Sequence, residues 1–155
     1  MIVRHDKIAV FVVRPDPTAK THEFLQLRRT GADSIAGTWQ AVRGTIEANE
    51  TAVQAALREL REETSLTPRE FYRLGTIETF YDAADDAIVH SVPFLAVVES
   101  AAQAKLNEEH DASRWVGADD ADRAFMWPSE KPLLREIRGE FLSGGACKPQ
   151  LVIRP

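Results

Sequence analysis

Glu59, Glu62 and Glu63 stand three and four residues apart near the end of a stretch that reads as helix from Glu50 to Glu63. That spacing puts three carboxylates on one side of the helix, close to one another, where they repel. They also fall in its last turn, where the helix dipole disfavours anions. Arg58 and Arg61 offer only partial relief. A hard divalent cation would resolve the conflict, because Mg²⁺ takes oxygen ligands and keeps several waters. The competing reading is a solvated acidic face, the commoner meaning of such a run.

The stretch leading into this helix bears on the choice. Gly44 starts a loop, Gly44-Thr-Ile-Glu-Ala-Asn-Glu50, that runs directly into it. A glycine lets backbone approach a ligand closely, and its carbonyl can coordinate a metal. Asn49 tolerates a left-handed turn. In full, the run is Gly44, five residues, Glu50, seven residues, then Arg58-Glu59-Leu60-Arg61-Glu62-Glu63-Thr64-Ser65-Leu66. It resembles the box of the Nudix family, Gly-x5-Glu-x7-Arg-Glu-aliphatic-x-Glu-Glu-x-Gly-aliphatic. Ser65 stands where the family has glycine; the change falls at the helix cap and touches no expected ligand.

The resemblance implies a Nudix fold, a mixed β-sheet in an α/β/α sandwich, and hydrolysis of a nucleoside diphosphate linked to another group with Mg²⁺ or Mn²⁺. It implies Glu59, Glu62 and Glu63 as metal-binding carboxylates and the Gly44 carbonyl as a further ligand. Glu59 or Glu62 would help take the proton of the attacking water. Glu50 and Arg58 would form a structural ion pair bracing the loop. A carboxylate from outside the box often joins such a site, and Glu108 and Glu109 are the foremost candidates.

Shorter words point within the family. Trp39-Gln40-Ala41-Val42-Arg43-Gly44 and Glu108-Glu109-His110-Asp111-Ala112-Ser113-Arg114-Trp115 resemble a bacterial branch that includes dATP and dihydroneopterin triphosphate pyrophosphohydrolases. In that branch the glutamate before histidine is a metal ligand, which maps to Glu109. Arg28 matches a phosphate-contacting residue at the end of the second strand, with Arg29 its neighbour. Arg4 and Arg43 are further candidates for substrate contact, and Trp127 for stacking on a base or pterin ring. The implied reaction splits a nucleoside or pterin triphosphate into monophosphate and pyrophosphate. ADP-ribose or dinucleoside polyphosphates are alternative substrates, and a catalytically silent nucleotide-binding module is an alternative of another class.

Other residues have plainer readings. Arg28 and Arg29 could be a solvated pair guarding an edge strand. Trp39 and Trp115 suit packing better than stacking. His110 suits a hydrogen-bonded structural role beside a ligand. The single cysteine, Cys147, excludes an internal disulfide framework and a cysteine zinc site.

The elements that must hold these residues read as an α/β (α+β) domain. Ile8–Val13 reads as a buried strand and Glu23–Arg28 as its hairpin partner, with a short strand at Thr38–Val42. Val53, Ala56, Leu57, Leu60 and Thr64 give the box helix one apolar stripe. Glu70–Tyr81 and Ala87–Glu99 read as a hairpin around the acidic turn Asp82–Asp86. Ser113–Val116 reads as a strand and Asp119–Phe125 as a short helix. Ser129–Phe141 reads as a longer helix capped by Ser129, and Gln150–Arg154 as a final strand. The 155 residues suit a single domain spanning 1–155.

The formal net charge of −5 argues against nucleic-acid polymers or anionic membranes as partners. Residues 44–66 and 99–122 carry a net −8 between them, and these two blocks hold the expected ligands. The partner expected is therefore a small nucleotide or pterin polyphosphate reached through a cation. No apolar run suits a secretory core or a membrane span, so the expected setting is cytoplasmic, as monomer or homodimer.

Overall fold

The computed structural model describes residues 1–154. Its eight strands are β1 (Ile2–Pro15), β2 (His22–Arg29), β3 (Trp39–Gln40), β4 (Val42–Thr45), β5 (Glu70–Arg73), β6 (Glu78–Asp82), β7 (Ala87–Val97) and β8 (His110–Gly117). The helices are α1 (Ala52–Thr64), α2 (Ala121–Ala124), α3 (Lys131–Glu136) and α4 (Lys148–Leu151). β1 is the hub of the mixed sheet. It runs parallel to β7 and antiparallel to β2 and β4. β8 pairs with β2, while β5 and β6 pair with β7.

The residues of β1 explain its central place. Ile8, Val10 and Val12 point to one layer, with Ala55, Ala56 and Leu60 of α1. Ala9, Phe11 and Val13 point to the other, with Phe125, Leu133, Leu134 and Ile137. Successive strand residues face opposite sides, so a run of apolar residues is what a strand buried on both faces requires. The result is the expected α/β/α sandwich.

α1 begins at Ala52, two residues later than the spacing suggests. Thr51 caps it by accepting the Gln54 N–H, and the Gln54 side chain accepts the Thr51 N–H in return. Ser65 ends the helix at φ 58°, in the left-handed region where the family box has glycine, and its N–H donates to the Arg61 carbonyl. Asn49 likewise takes φ 67° in the approach loop.

Several elements differ from their sequence-based expectation. β1 extends back to Ile2 because Ile2, Val3 and Arg4 pair with Ala87, Ile88 and Val89. Glu70–Tyr81 is two strands, interrupted where the Glu136 carboxylate accepts the N–H groups of Gly75 and Thr76. β8 starts at His110 rather than Ser113. Ser129 does not cap a helix: its hydroxyl donates to Glu78, and a 3₁₀ turn over Pro128–Glu130 leads into α3. After α3 the chain widens into a π turn over Ile137–Leu142. Residues 148–151 form α4 instead of a strand, with Pro149 in its first turn, where a missing N–H costs nothing. Val152 bridges back to the sheet at Tyr72, and the Ile153 N–H donates to the Phe71 carbonyl. Among the described residues, no helix is long and apolar enough to cross a membrane.

Candidate active site

A cleft of about 1010 Å³ opens where β1, β4, β6 and the turn before α3 meet α1 at Glu59. Gly44, Glu59 and Glu109 line one side of it. Arg4, Lys7 and Arg29 line it as well, with Trp127 on the turn before α3.

Gly44 brings the loop and helix into contact. A Cβ at this position would lie 2.3 Å from the Glu59 Cγ, so only glycine lets the loop backbone rest against that side chain. Arg58 fastens the other end. Its Nε and Nη2 grip the two Glu50 carboxylate oxygens at 2.8 and 2.9 Å, and Nη2 also donates to the Thr45 carbonyl. The guanidinium holds the Glu50 carboxyl well below its usual range, at about 2. Its Nη1 donates to both Glu59 and Glu62, at 2.9 and 3.2 Å.

The carboxylates divide by environment. Glu62 is half exposed, and Glu59 is mostly covered. Burial pushes the Glu59 carboxyl up, Arg58 pulls it down, and Glu62 and Glu109 push it up again. Glu63 is only 1% exposed, and its Oε2 has no hydrogen-bond partner. Burial first, then the charges of Glu59 and Glu109, raise its carboxyl to about 9. Such a group needs a proton or a cation to sit where it does. Glu109 is exposed at the start of β8, while the neighbouring Glu108 contributes only its carbonyl, to Thr30.

His110 is buried beside Glu63. Its Nδ1 lies 3.9 Å from Glu63 Oε2, and its Nε2 meets the Gln40 amide at 3.3 Å. Burial, and then Arg29, lower the imidazole to about 4.

The set fits a divalent cation on two counts. Glu63 presents a buried oxygen that no described residue satisfies, and neighbouring carboxylates raise the proton affinity of Glu59 and Glu63. As the side chains stand, no three His, Cys, Asp or Glu among the described residues are grouped to hold a metal. Glu59 and Glu62 are instead drawn onto Arg58.

The substrate-side residues need correction at two positions. Arg28 turns away from the cleft and pairs with Asp111 at 2.7 Å. Its neighbour Arg29 faces in, as strand alternation requires, at a register shift between β2 and β8. Arg43 reaches the cleft, but its guanidinium is committed to buried Glu78, at 2.8 and 3.0 Å, and to buried Glu130, at 2.8 Å. Arg4 lines the cleft while paired with Asp6 and Asp85. Trp127 donates its N–H to Glu130, so the Arg43 cluster also fixes the turn that carries the indole. Trp39 lies beneath the guanidinium of Arg114, and Trp115 beneath that of Arg14.

Sequence reasoning passed over Lys7, Glu78 and Glu130. Lys7 pairs with Thr45 in the register of β1 and β4, a signal visible only once that pairing is known. Glu78 and Glu130 meet Arg43 from 35 and 87 residues away, and no local pattern announces that contact.

The chain matches the NUDIX domain family over residues 3–137. An octanoyltransferase of Myxococcus xanthus is 36% identical over 92 residues, 55% of this chain and 24% of that protein. The asymmetrical bis(5'-nucleosyl)-tetraphosphatase of Mus musculus is 30% identical over 127 residues, 79% of this chain and 82% of that one. The chain thus spans about a quarter of the first relative and most of the second. Among solved structures, a C. elegans Ap4A hydrolase binary complex superposes with a TM-score of 0.73 at 24% identity, covering 89% of this chain and 97% of that one. The E. coli dihydroneopterin triphosphate pyrophosphohydrolase gives 0.65 at 22% identity, covering 88% and 94%. These two likenesses are of fold. Together with the family match and the glycine-to-glutamate geometry of residues 44–66, they close the identification: the chain belongs to the Nudix family of hydrolases.

Proposed function

We propose that residues 1–155 act as one Nudix domain that hydrolyses a phosphoanhydride of a nucleoside or pterin polyphosphate, with Mg²⁺ or Mn²⁺. The preferred substrate is a triphosphate, dATP-like or dihydroneopterin-like, split to monophosphate and pyrophosphate. The observation that carries this reading is the buried, unsatisfied Glu63 carboxylate beside Glu59 and Glu109 at the wall of a cleft.

The Gly44 carbonyl and the carboxylates of Glu59, Glu62, Glu63 and Glu109 would hold the cation. A bound cation neutralises polyphosphate charge and acidifies the attacking water. Glu59 or Glu62 accepts the proton of that water. The water oxygen bonds to phosphorus as the bond from phosphorus to the bridging oxygen breaks, and the pyrophosphate leaves with that oxygen. Arg4, Lys7 and Arg29 meet the phosphates and hold them in line. Trp127 stacks on the ring. Arg43 acts only by holding Glu78, Glu130 and the turn before Trp127.

A second reading, a dinucleoside tetraphosphate, is favoured by the mouse relative, which aligns over 79% of the chain. It shares the chemistry. Asymmetric cleavage also yields a nucleoside monophosphate, and only the leaving fragment is longer.

A panel of dihydroneopterin triphosphate, dATP, ADP-ribose and diadenosine tetraphosphate, run with Mg²⁺ and resolved by chromatography, tests the reading. Monophosphate with pyrophosphate is the expected product pair. Monophosphate with a nucleoside triphosphate selects the second reading. A panel with no turnover at all sinks both and leaves a nucleotide-binding module.

A further inference from the structure

Next to the cleft-lining Gln40 lies a buried polar pair of which the proposed chemistry uses only one member, Glu63. His110 Nδ1 and Glu63 Oε2 lie 3.9 Å apart, and neither atom has a hydrogen-bond partner among the described residues. The two side chains are 1% and 2% exposed, so bulk solvent does not reach them. Three elements meet here: β3 through Gln40, β8 through His110 and α1 through Glu63. The far side of the ring fixes the near side. The Gln40 amide nitrogen meets His110 Nε2, and an amide nitrogen only donates. With that amide orientation Nε2 accepts, which puts the ring proton on Nδ1, on the side of Glu63 Oε2.

We propose that His110 is a positioning residue: with its tautomer set by Gln40, its Nδ1–H orients Glu63 Oε2 and so presents the other carboxylate oxygen to the cation. Carboxylate ligands are commonly held this way, and loss of the outer partner typically weakens metal affinity about 10- to 100-fold. The pairing also gives a physical reason for two separate words of the sequence to occur together. Gln40 belongs to the approach to the box and His110 to the Glu109-His110 element, and each needs the other to serve Glu63.

The inference rests on the reading that Glu63 is a cation ligand, and the test separates the two. The first measurement is ¹⁵N NMR of the His110 ring in the Mg²⁺-loaded, substrate-free protein, because Glu63 holds a proton of its own in the metal-free state. A protonated Nδ1 with a bare Nε2 supports the inference, and the opposite tautomer overturns it. The second is Mn²⁺ binding without substrate, followed by electron paramagnetic resonance. His110→Leu is expected to weaken Mn²⁺ about 10- to 100-fold. His110→Asn keeps a donor where Nδ1 stood and is expected to stay close to the wild type. Gln40→Leu, which frees the tautomer without touching His110, is expected to fall between them and serves if His110→Leu does not fold. Unchanged Mn²⁺ affinity in a folded His110→Leu or in Gln40→Leu overturns the inference alone. A wild-type chain that takes up no Mn²⁺ overturns the cation reading, and the inference with it.

Discussion

Arg58 and Arg43 each gather glutamates at the same cleft, through Glu59 and Glu78, yet they do opposite things. Arg58 stands at the rim of α1 and shares itself among Glu50, Glu59 and Glu62, whose exposure ranges from slight to half. Arg43 works inward, and both its partners, Glu78 and Glu130, are at most 1% exposed. A rim pair in high dielectric is weak and exchangeable. A pair whose acids are buried cannot be parted without stranding a charge. Glu59 and Glu62 are therefore free to trade the guanidinium for a cation, and the Arg43 carboxylates are fixed scaffolding beneath Trp127. Glu63 belongs to neither arginine, which is why its oxygen is left over.

The comparison can be broken most severely on the working side. Glu59→Gln and Glu63→Gln are each expected to cut Mg²⁺-dependent turnover by about 10²- to 10⁴-fold while circular dichroism stays unchanged. Turnover retained in both would remove the carboxylates from the chemistry. On the scaffolding side, Arg43→Met leaves Glu78 and Glu130 buried without their cation and is expected to cost about 3–5 kcal/mol in urea unfolding. Arg58→Met should cost less. Equal losses would show that the two arginines do not differ in kind.

Glu63 gives the comparison a pH dependence. Its folded carboxyl is raised to about 9 from the ordinary 4.5, so the folded state holds a proton that the unfolded chain releases sooner. The Glu63 contribution to metal-free stability is thus full below about 4.5 and is lost as pH rises toward 9. Urea midpoints measured in chelator should fall across that window. Mg²⁺ should restore them increasingly with pH, and Glu63→Gln should remove the slope. A flat profile in the wild type would place Glu63 in a solvated setting. The smallest effect is expected at the aromatic end: Trp127→Ala should raise KM about tenfold with little change in kcat, the loss of one stacking contact. An unchanged KM would leave the indole as packing.

Local patterns made the working side legible and hid the scaffold. The Glu50–Arg58 grip lies within one loop and one helix, inside the stretch whose resemblance to the family box implied it. Asn49 and Ser65 announce their left-handed turns by residue type and by place in the box. The Arg43 cluster joins residues up to 87 apart through the register of the sheet, and no neighbour in sequence reports it. Arg28 and Arg29 look equivalent in sequence, and only the shift between β2 and β8 decides which faces the cleft. Gln150–Arg154 has the composition of a strand, but Pro149 sits at a position that starts a helix just as well, and little of the sheet reaches it.

The most direct measurement is hydrolysis in ¹⁸O-labelled water, with Mg²⁺ and with chelator, on whichever polyphosphate of the panel turns over fastest. The account predicts turnover only with Mg²⁺ and one ¹⁸O atom in the product whose phosphorus was attacked. Turnover that persists in chelator, or products that carry no label, would contradict it.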